Sequence, residues 1–523
     1  MFRNPLLIVA LTVTAAIAVA GLIDPQGVAA LAARGVSAQF VSRGWFIMLV
    51  ANILLMSALL LAVSPLGRLR LSTDDEEPEF GVVSWLTMLF AAGMGVGLLY
   101  YGAAEPLTHF GVFREYVSDP EAAQKAVLAT HLHWGLHAWA IYGMVGLVIA
   151  YFCFRRGGPM VLSTPVTGVL GNSGWPRKLA FVIDLFAIIA IAIGLGGSVA
   201  LGVFQVQEGM SRLLGLGGAA WLTMSVFGAL CVAFLLPLTV DLSRGMARMS
   251  NVAMGIALTL IVYILLIGPT HQAMNAIIES MGQYVFKALP LGFTAMTFQD
   301  DIIKGWFQDW TLNYMIWWLA WSPFVGVFIA RISRGRTIRE FLLGVIIAPT
   351  AFSIFWFGTF SMQGFAEIMA GNERLLEATR NAFDSVTFLI LEALPLSTVT
   401  SLGVVVAGFL FIVTSVVSAA YVLAMFASAG DVDPPTRIKL AWGVILAALG
   451  LVMILSGDVQ AVRSIIALGA MTFVFIVPIL VLCLFKALRQ ELPPTEHEQT
   501  ERRLRRVRRA VERREKRVRG TQQ

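Results

Sequence analysis

The chain has 523 residues, 58% of them hydrophobic and 13% charged, with a formal net charge of +6. Soluble domains carry about 25% charged residues, so this composition, with a mean hydropathy of +0.78, excludes a soluble enzyme and defines a polytopic membrane protein. Cys153, Cys231 and Cys483 lie in or beside apolar runs with no CxxC spacing and read as packing residues.

A spanning helix needs about 20 apolar residues, and about twelve segments qualify, starting near Leu6, Trp45, Val82, Ala126, Leu179, Ala219, Val252, Asp309, Glu340, Leu396, Ile438 and Val462. The first, with Arg3 before it and Ala18-Val19-Ala20 at its end, has the outline of a secretory signal. It reads better as a span, because the short loops then sort by charge. Arg68 and Arg70, Arg155 and Arg156, Arg177 and Lys178, Arg244 and Arg248, and Arg334, Arg336 and Arg339 fall on one side, which the positive-inside rule makes cytoplasmic. Both termini are then cytoplasmic.

The third segment, Val82 to Pro106, contains Gly93-Met94-Gly95-Val96-Gly97. Each glycine costs a helix about 1 kcal/mol against alanine, and an unwound turn in lipid is tolerated only where it lines a cavity or a site. A broken helix facing a ligand near the bilayer midplane is one reading; close helix packing through small residues is the other. Glu105, beside Pro106 at the end of this segment, is expected to serve as a gate or a structural bond, with a proton relay as the alternative, also open to Asp184 and Asp241.

The fourth span sets Trp134, Trp139 and Tyr142 within an arc of about 140°. His131, His133 and His137 lie on it too, but with no acidic or thiol ligand evident nearby they are not expected to hold a metal. Two connections, Gln272 to Phe298 and Gln363 to Leu394, mix apolar residues with Gly, Pro and charge; short helices on the outer face are expected there, the first amphipathic.

The eighth span, Trp310 to Arg331, is predicted to be interrupted at Ser322-Pro323. Two interrupted helices at matching places in consecutive five-span halves point to an inverted-repeat transporter. Trp310, Tyr314, Trp317, Trp318 and Trp321 share an arc of about 100° on this span and climb roughly 16 Å along its axis, too far for an interfacial belt at one depth. An aromatic cage suits a quaternary ammonium or similar onium ion, which cannot donate a hydrogen bond and is held by ring quadrupoles; core packing is the alternative. No repeated filter motif suggests a channel, and no nucleophile and base pair suggests an intramembrane enzyme.

Gly93-Met94-Gly95-Val96-Gly97 with Glu105-Pro106, His133-Trp134-Gly135-Leu136-His137-Ala138-Trp139, and the run from Trp317-Trp318-Leu319-Ala320-Trp321-Ser322-Pro323-Phe324-Val325-Gly326 through Arg331-Ile332-Ser333-Arg334-Gly335-Arg336-Thr337-Ile338-Arg339-Glu340 resemble the betaine/choline/carnitine transporters. The resemblance implies an all-α integral membrane fold of about twelve spans. It has a LeuT-type 5+5 inverted repeat, spans 3–7 and 8–12, after two extra helices. It also implies a homotrimer in the bacterial inner membrane. The domain boundaries that go with it are 1–80, two helices and an acidic cytoplasmic loop; 81–272, the first repeat; 273–308, the outer amphipathic connection; 309–488, the second repeat; and 489–523, a basic cytoplasmic tail.

In that family the substrate is a small zwitterionic onium compound such as glycine betaine. The cage corresponds to Trp134, Trp139, Tyr142 and Trp318, with Trp317 and Trp321 beside them, Gly93, Gly95 and Gly97 supplying backbone, and Phe324 as a gate candidate. No covalent cofactor is implied. Sodium as coupling ion would use the backbone of Ala91, Met94 and Phe411 and the hydroxyls of Thr414 and Ser415, while a second sodium site of some members falls on Ile191 and Leu195, which cannot serve. Choline carriers tend to have Asp where this chain has Gly97, which favours a zwitterion over choline; Asn313 is a polar residue near the cage.

From Arg502 to Arg519 the tail holds eleven Lys and Arg, among them Arg502, Arg505, Arg506 and Arg509, against Glu512 and Glu515, a net +9 that leaves −3 for the rest of the chain. Anionic membrane lipid is the expected partner of such a segment, with osmotic regulation implied by the family and no nucleic-acid partner.

Overall fold

The computed structural model describes residues 4–93, 95–217, 220–239, 243–457 and 459–491. Met94 and the tail arginines Arg502, Arg505, Arg506 and Arg509 lie outside the described residues. Among the described residues, ten helices are long and apolar enough to cross a membrane, from Pro5–Ile23 and Pro25–Val63 through Ser397–Ala427 and Thr436–Leu455. The pair Val459–Ala470 and Phe473–Leu488, bent by 42°, makes an eleventh if taken as one span. The expected twelve is therefore not reached. The difference is the glycine segment, whose helices Val82–Gly93 and Val96–Tyr101 have 12 and 6 residues, each too short to cross alone. This is an all-α multi-pass membrane protein. The expected helix of the first connection is present as Thr270–Gly292.

Two details differ from the sequence reading. The eighth span is not interrupted at Ser322-Pro323: Asn313–Ile332 is one continuous helix with Pro323 inside it. Proline deprives the carbonyl four residues earlier of its N–H, and here the Ser322 hydroxyl donates to that carbonyl, Leu319 O, at 2.8 Å, so the helix survives in an apolar setting. Its irregularity lies immediately before that helix, in a π-turn over Gln308–Leu312.

The fourth span, read as ordinary, is broken. Asp119–Trp134 and Leu136–Ala150 meet at Gly135, which has φ −102° and ψ −134°. The backbone groups freed by the break find side chains: Leu136 N–H donates to Tyr284 Oη at 2.8 Å, and His133 O accepts from Trp318 Nε1 at 2.7 Å. Tyr284 comes from Thr270–Gly292, so this helix braces the break.

Lipid tails are as apolar as leucine, so close packing rather than hydrophobicity joins these helices. Leu136–Ala150 and Asn313–Ile332 cross at Gly146 and Gly326, where a Cβ on Gly326 would come within 3.1 Å of Gly146 N. Trp175–Leu214 packs against Ser397–Ala427 and Thr436–Leu455, closing the far side of the space between them.

Candidate functional site

The broken fourth span, the continuous eighth span and the glycine segment converge on a cavity of about 40 Å³. Trp134, Tyr142, Trp317, Trp318 and Trp321 form its aromatic wall, Gly95 and Gly97 bring backbone to it, and Ser415 closes one end. Ser198, Leu201, Ile412 and Val416 complete it; these belong to Trp175–Leu214 and Ser397–Ala427, and no local motif marks them. Trp318 is the hub. Its ring meets Trp134 at 5.1 Å and Tyr142 at 5.5 Å, both edge-to-face, and lies near-parallel to Trp317 at 6.4 Å. Its N–H is anchored on the His133 carbonyl, so the ring depends on the break at Gly135.

Tyr142 and Trp321 line this cavity, and Tyr142 Oη and Trp321 Nε1, the latter beside Gly194, are buried with no hydrogen-bond partner among the described residues. A buried donor without a partner costs about 1 to 3 kcal/mol, so two on residues that line one small cavity mark a place for an acceptor. The other sequence-predicted residues fall elsewhere. Trp139 packs edge-on behind Tyr142 at 5.6 Å and does not line the cavity; Asn313 is buried on the eighth-span helix without lining it. Gly93 ends the helix Val82–Gly93.

Phe324 lies below Trp321, with ring centroids 5.9 Å apart, and faces a wider cavity of about 320 Å³ that Thr414, Ser415 and Ser418 also line. Ser415 belongs to both spaces, and a Cβ on Gly95 would sit 3.6 Å from its Oγ. The Thr414 hydroxyl donates to the carbonyls of Leu410 at 3.0 Å and Phe411 at 3.1 Å, which leaves its lone pairs free for a cation. Thr414, Ser415 and the Phe411 carbonyl are thus adjacent hard oxygens, with the helix that carries Ala91 ending nearby at Gly93. Ile191 and Leu195 are fully buried.

On the opposite side a third space of about 500 Å³ is lined by Trp310, Phe383 and Arg463. Arg463 lies over the Trp310 ring at 4.0 Å and donates to Tyr101 Oη at 3.2 Å, and Tyr101 in turn meets Trp317 at 5.7 Å. Tyr101 and Arg463 were not among the expected site residues, since single residues on two distant helices leave no local pattern.

Glu105 is fully buried, and the absence of a nearby acid that argued against a histidine cluster is overturned. His133 Nδ1 lies 2.8 Å and His109 Nε2 3.3 Å from its Oε1, while Oε2 accepts from Trp134 Nε1 at 2.8 Å and from the Tyr314 hydroxyl. His131 and His137 take no part: they bond Ser280 at 3.0 Å and Asn52 at 2.8 Å. Glu105, His109 and His133 present three ligand-type atoms within 4.8 Å of one another. Those atoms are nonetheless engaged with one another, His109 Nδ1 is bonded by Trp306 Nε1 at 3.0 Å, and His133 Nε2 pairs with Thr311 Oγ1 at 2.9 Å. The donor set suits a closed hydrogen-bond network better than an open coordination site. His109, four residues beyond Glu105, was legible as a helical neighbour; the pairing with His133 was not.

A cavity walled by aromatic rings between two wider spaces, inside a bundle with broken helices, defines a membrane transporter of small molecules. The chain belongs to the betaine/carnitine/choline family transporters, whose family pattern matches residues 5–493. It is 36% identical over 485 residues to the glycine betaine transporter OpuD of Bacillus subtilis, covering 92% of this chain and 94% of that one. It is 34% identical over 456 residues to a glycine betaine transporter of Acinetobacter baylyi, covering 86% and 67%. An ectoine/hydroxyectoine transporter of Virgibacillus pantothenticus shares 30% identity over 480 residues, 91% and 94% of the two chains. It is a secondary transporter of a quaternary-ammonium compatible solute, and not an enzyme.

Proposed function

We propose that this chain imports glycine betaine or a close zwitterionic analogue by alternating access, coupled to sodium. One observation carries the reading: a small aromatic-walled cavity lined by two residues, Trp321 and Tyr142, whose N–H and O–H have no partner among the described residues. Rings hold the onium end at about 0.5 to 2 kcal/mol each, and the two donors suit the carboxylate end. Choline offers them only a neutral hydroxyl, a weaker acceptor than a carboxylate. The two wider spaces, one beyond Tyr101 and one beyond Phe324, are the natural outward and inward approaches, with these residues as gates.

Thr414, Ser415 and the carbonyls of Phe411, Ala91 and Met94 would hold the sodium ion, whose gradient would supply the driving force. With Ile191 and Leu195 apolar, one such ion per cycle is expected. The broken glycine segment and the eighth span occupy equivalent places in a LeuT-type inverted repeat, in a homotrimer with both termini cytoplasmic and the basic tail against anionic lipid.

Uptake of labelled zwitterions into proteoliposomes, with and without a sodium gradient and with an uncoupler, tests this. Saturable betaine uptake stimulated by sodium, and loss of that stimulation in Thr414→Ala with Ser415→Ala, is the expected outcome. Uptake insensitive to sodium and abolished by the uncoupler would replace sodium with protons; preference for choline would overturn the zwitterion.

A further inference from the structure

A buried carboxylate inside a membrane protein is costly unless its charge is used or offset. Around Glu105 no Lys or Arg makes an ion pair among the described residues. Trp306 Nε1 can only donate, so His109 Nδ1 accepts and the His109 proton lies on Nε2, toward Glu105. His133 presents Nδ1–H to the same Oε1, and its Nε2 lies 2.9 Å from Thr311 Oγ1. Trp134 and Tyr314 supply the remaining two donors, on Oε2. Each of the four neighbours donates to the ionised carboxylate, which can only accept. The buried cation Arg463 is tied to Tyr101 and Trp310 on the side of the larger space.

Both donors on Oε2 lead to the cavity. Trp134 lines it, with its far edge, Cη2, 3.1 Å from where a Cβ of Gly97 would be. Tyr314 stacks on Trp317 at 5.9 Å and on Trp318 at 5.8 Å. An indole or phenol that donates to an anion becomes more electron-rich, which strengthens its attraction for a cation over its face, and the field of the charge itself acts through a medium of low dielectric.

We propose that Glu105 is a specificity-setting positioning residue whose negative charge acts on the onium group through Trp134 and the Tyr314 stack, so that the cavity selects a cation over a neutral group of the same shape. This rests on the onium reading above. The carboxylate stands behind the rings, so it does not meet the substrate's own carboxylate. Trp321, seven residues along the helix from Tyr314, lies roughly 10 Å further on, which places the anionic end of a zwitterion away from Glu105 and the cationic end toward it.

The test compares glycine betaine with 3,3-dimethylbutyrate, in which a tert-butyl group replaces the trimethylammonium at equal shape. Equilibrium binding to the full-length protein in lipid nanodiscs, read by intrinsic tryptophan fluorescence, gives a dissociation constant for each. Glu105→Gln should reduce the preference for betaine by about ten-fold, with the constant for dimethylbutyrate changing by less than about two-fold. An unchanged preference, or both constants rising together, would mean that Glu105 only supports the packing and overturns the inference. Absence of any preference in the unmodified protein would sink the onium reading itself, a distinct result. Should Glu105→Gln fail to reach the membrane, Tyr314→Phe decides. That variant keeps the ring stack and cuts one of the two routes, so the preference for betaine should fall, by less than in Glu105→Gln, with the constant for dimethylbutyrate changing by less than about two-fold; an unchanged preference, or both constants rising together, overturns the proposal.

Discussion

Trp318 shows how one side chain joins two tasks. Its face meets Trp134 and Tyr142 in the cavity, and its N–H holds the His133 carbonyl at the break in the fourth span. Trp318→Ala removes both, and the apparent KM for betaine should rise ten-fold or more. Trp318→Phe keeps a ring and loses only the hydrogen bond, so it should fall between the two; equal KM values for all three in proteoliposome uptake would remove this residue from the site. Gly97 admits a second prediction. A Cβ there would stand 3.1 Å from Trp134 Cη2, a contact that a small tilt of the indole can relieve. Gly97→Asp should therefore remain functional while shifting the choline-to-betaine ratio toward choline, because it adds a counter-charge that a zwitterion does not need. An unchanged ratio in competition assays would show that position 97 does not face the onium group.

Broken helices survive in lipid only when their freed backbone groups find partners, and here those partners come from side chains. The Leu136 N–H rests on Tyr284 Oη and the Leu319 carbonyl on Ser322 Oγ. Tyr284→Phe would strand a buried N–H, at a cost of about 1 to 3 kcal/mol. Ser322→Ala would leave the proline-freed carbonyl bare, at about 1 kcal/mol. Both should lower the melting temperature of the detergent-solubilised protein. Tyr284→Phe should also weaken betaine binding, since it loosens the turn that positions Trp134, whereas Ser322→Ala should leave binding within about two-fold. If neither variant melts earlier, water rather than the side chain serves these groups.

At the scale of the molecule, the end of the last helix is tied to a cluster of charged loop residues. Glu491 accepts from Arg155 at 3.0 Å and from Tyr151 at 2.9 Å, and Arg155 also reaches Asp74 at 2.7 Å. The Arg155 guanidinium beside Glu491 holds its carboxyl below the usual carboxylate range. A depressed carboxylate stabilises the folded state fully above its ordinary value near 4.3 and loses that contribution as the pH falls through its lower folded value. The partly exposed pair contributes about 1 kcal/mol or less, so a modest acid-side loss of thermal stability is expected, and Arg155→Gln should abolish it. An identical acid limb in that variant would mean that the tie is idle. The basic tail begins just beyond this tie. Deleting the chain after Pro494 should leave basal uptake and sodium dependence intact while flattening the response to external osmolality in vesicles with anionic lipid. Superimposable osmolality curves would reduce the tail to a topology signal.

What the amino-acid order determined by itself is whatever periodicity and composition encode: an all-α membrane bundle, the glycine segment from Gly93 to Gly97, and two aromatic stripes, Trp134, Trp139 and Tyr142 on the fourth span and Trp310, Tyr314, Trp317, Trp318 and Trp321 on the eighth. These follow from hydropathy and from helical spacing, which act over a few residues. Local rules misread Ser322-Pro323 and missed the break at Gly135, because whether a helix bends there depends on which side chain reaches the freed carbonyl or N–H. Ser322 reaches one from within its own helix, and Tyr284 reaches the other from 148 residues away. The same holds for Glu105. Its link to His109 is a helical neighbour, but its links to His133, Trp134 and Tyr314 cross 28, 29 and 209 residues. No spacing rule spans those distances, so only the tertiary structure decided that one buried carboxylate would stand behind two aromatic rings of the cavity wall and its supporting stack.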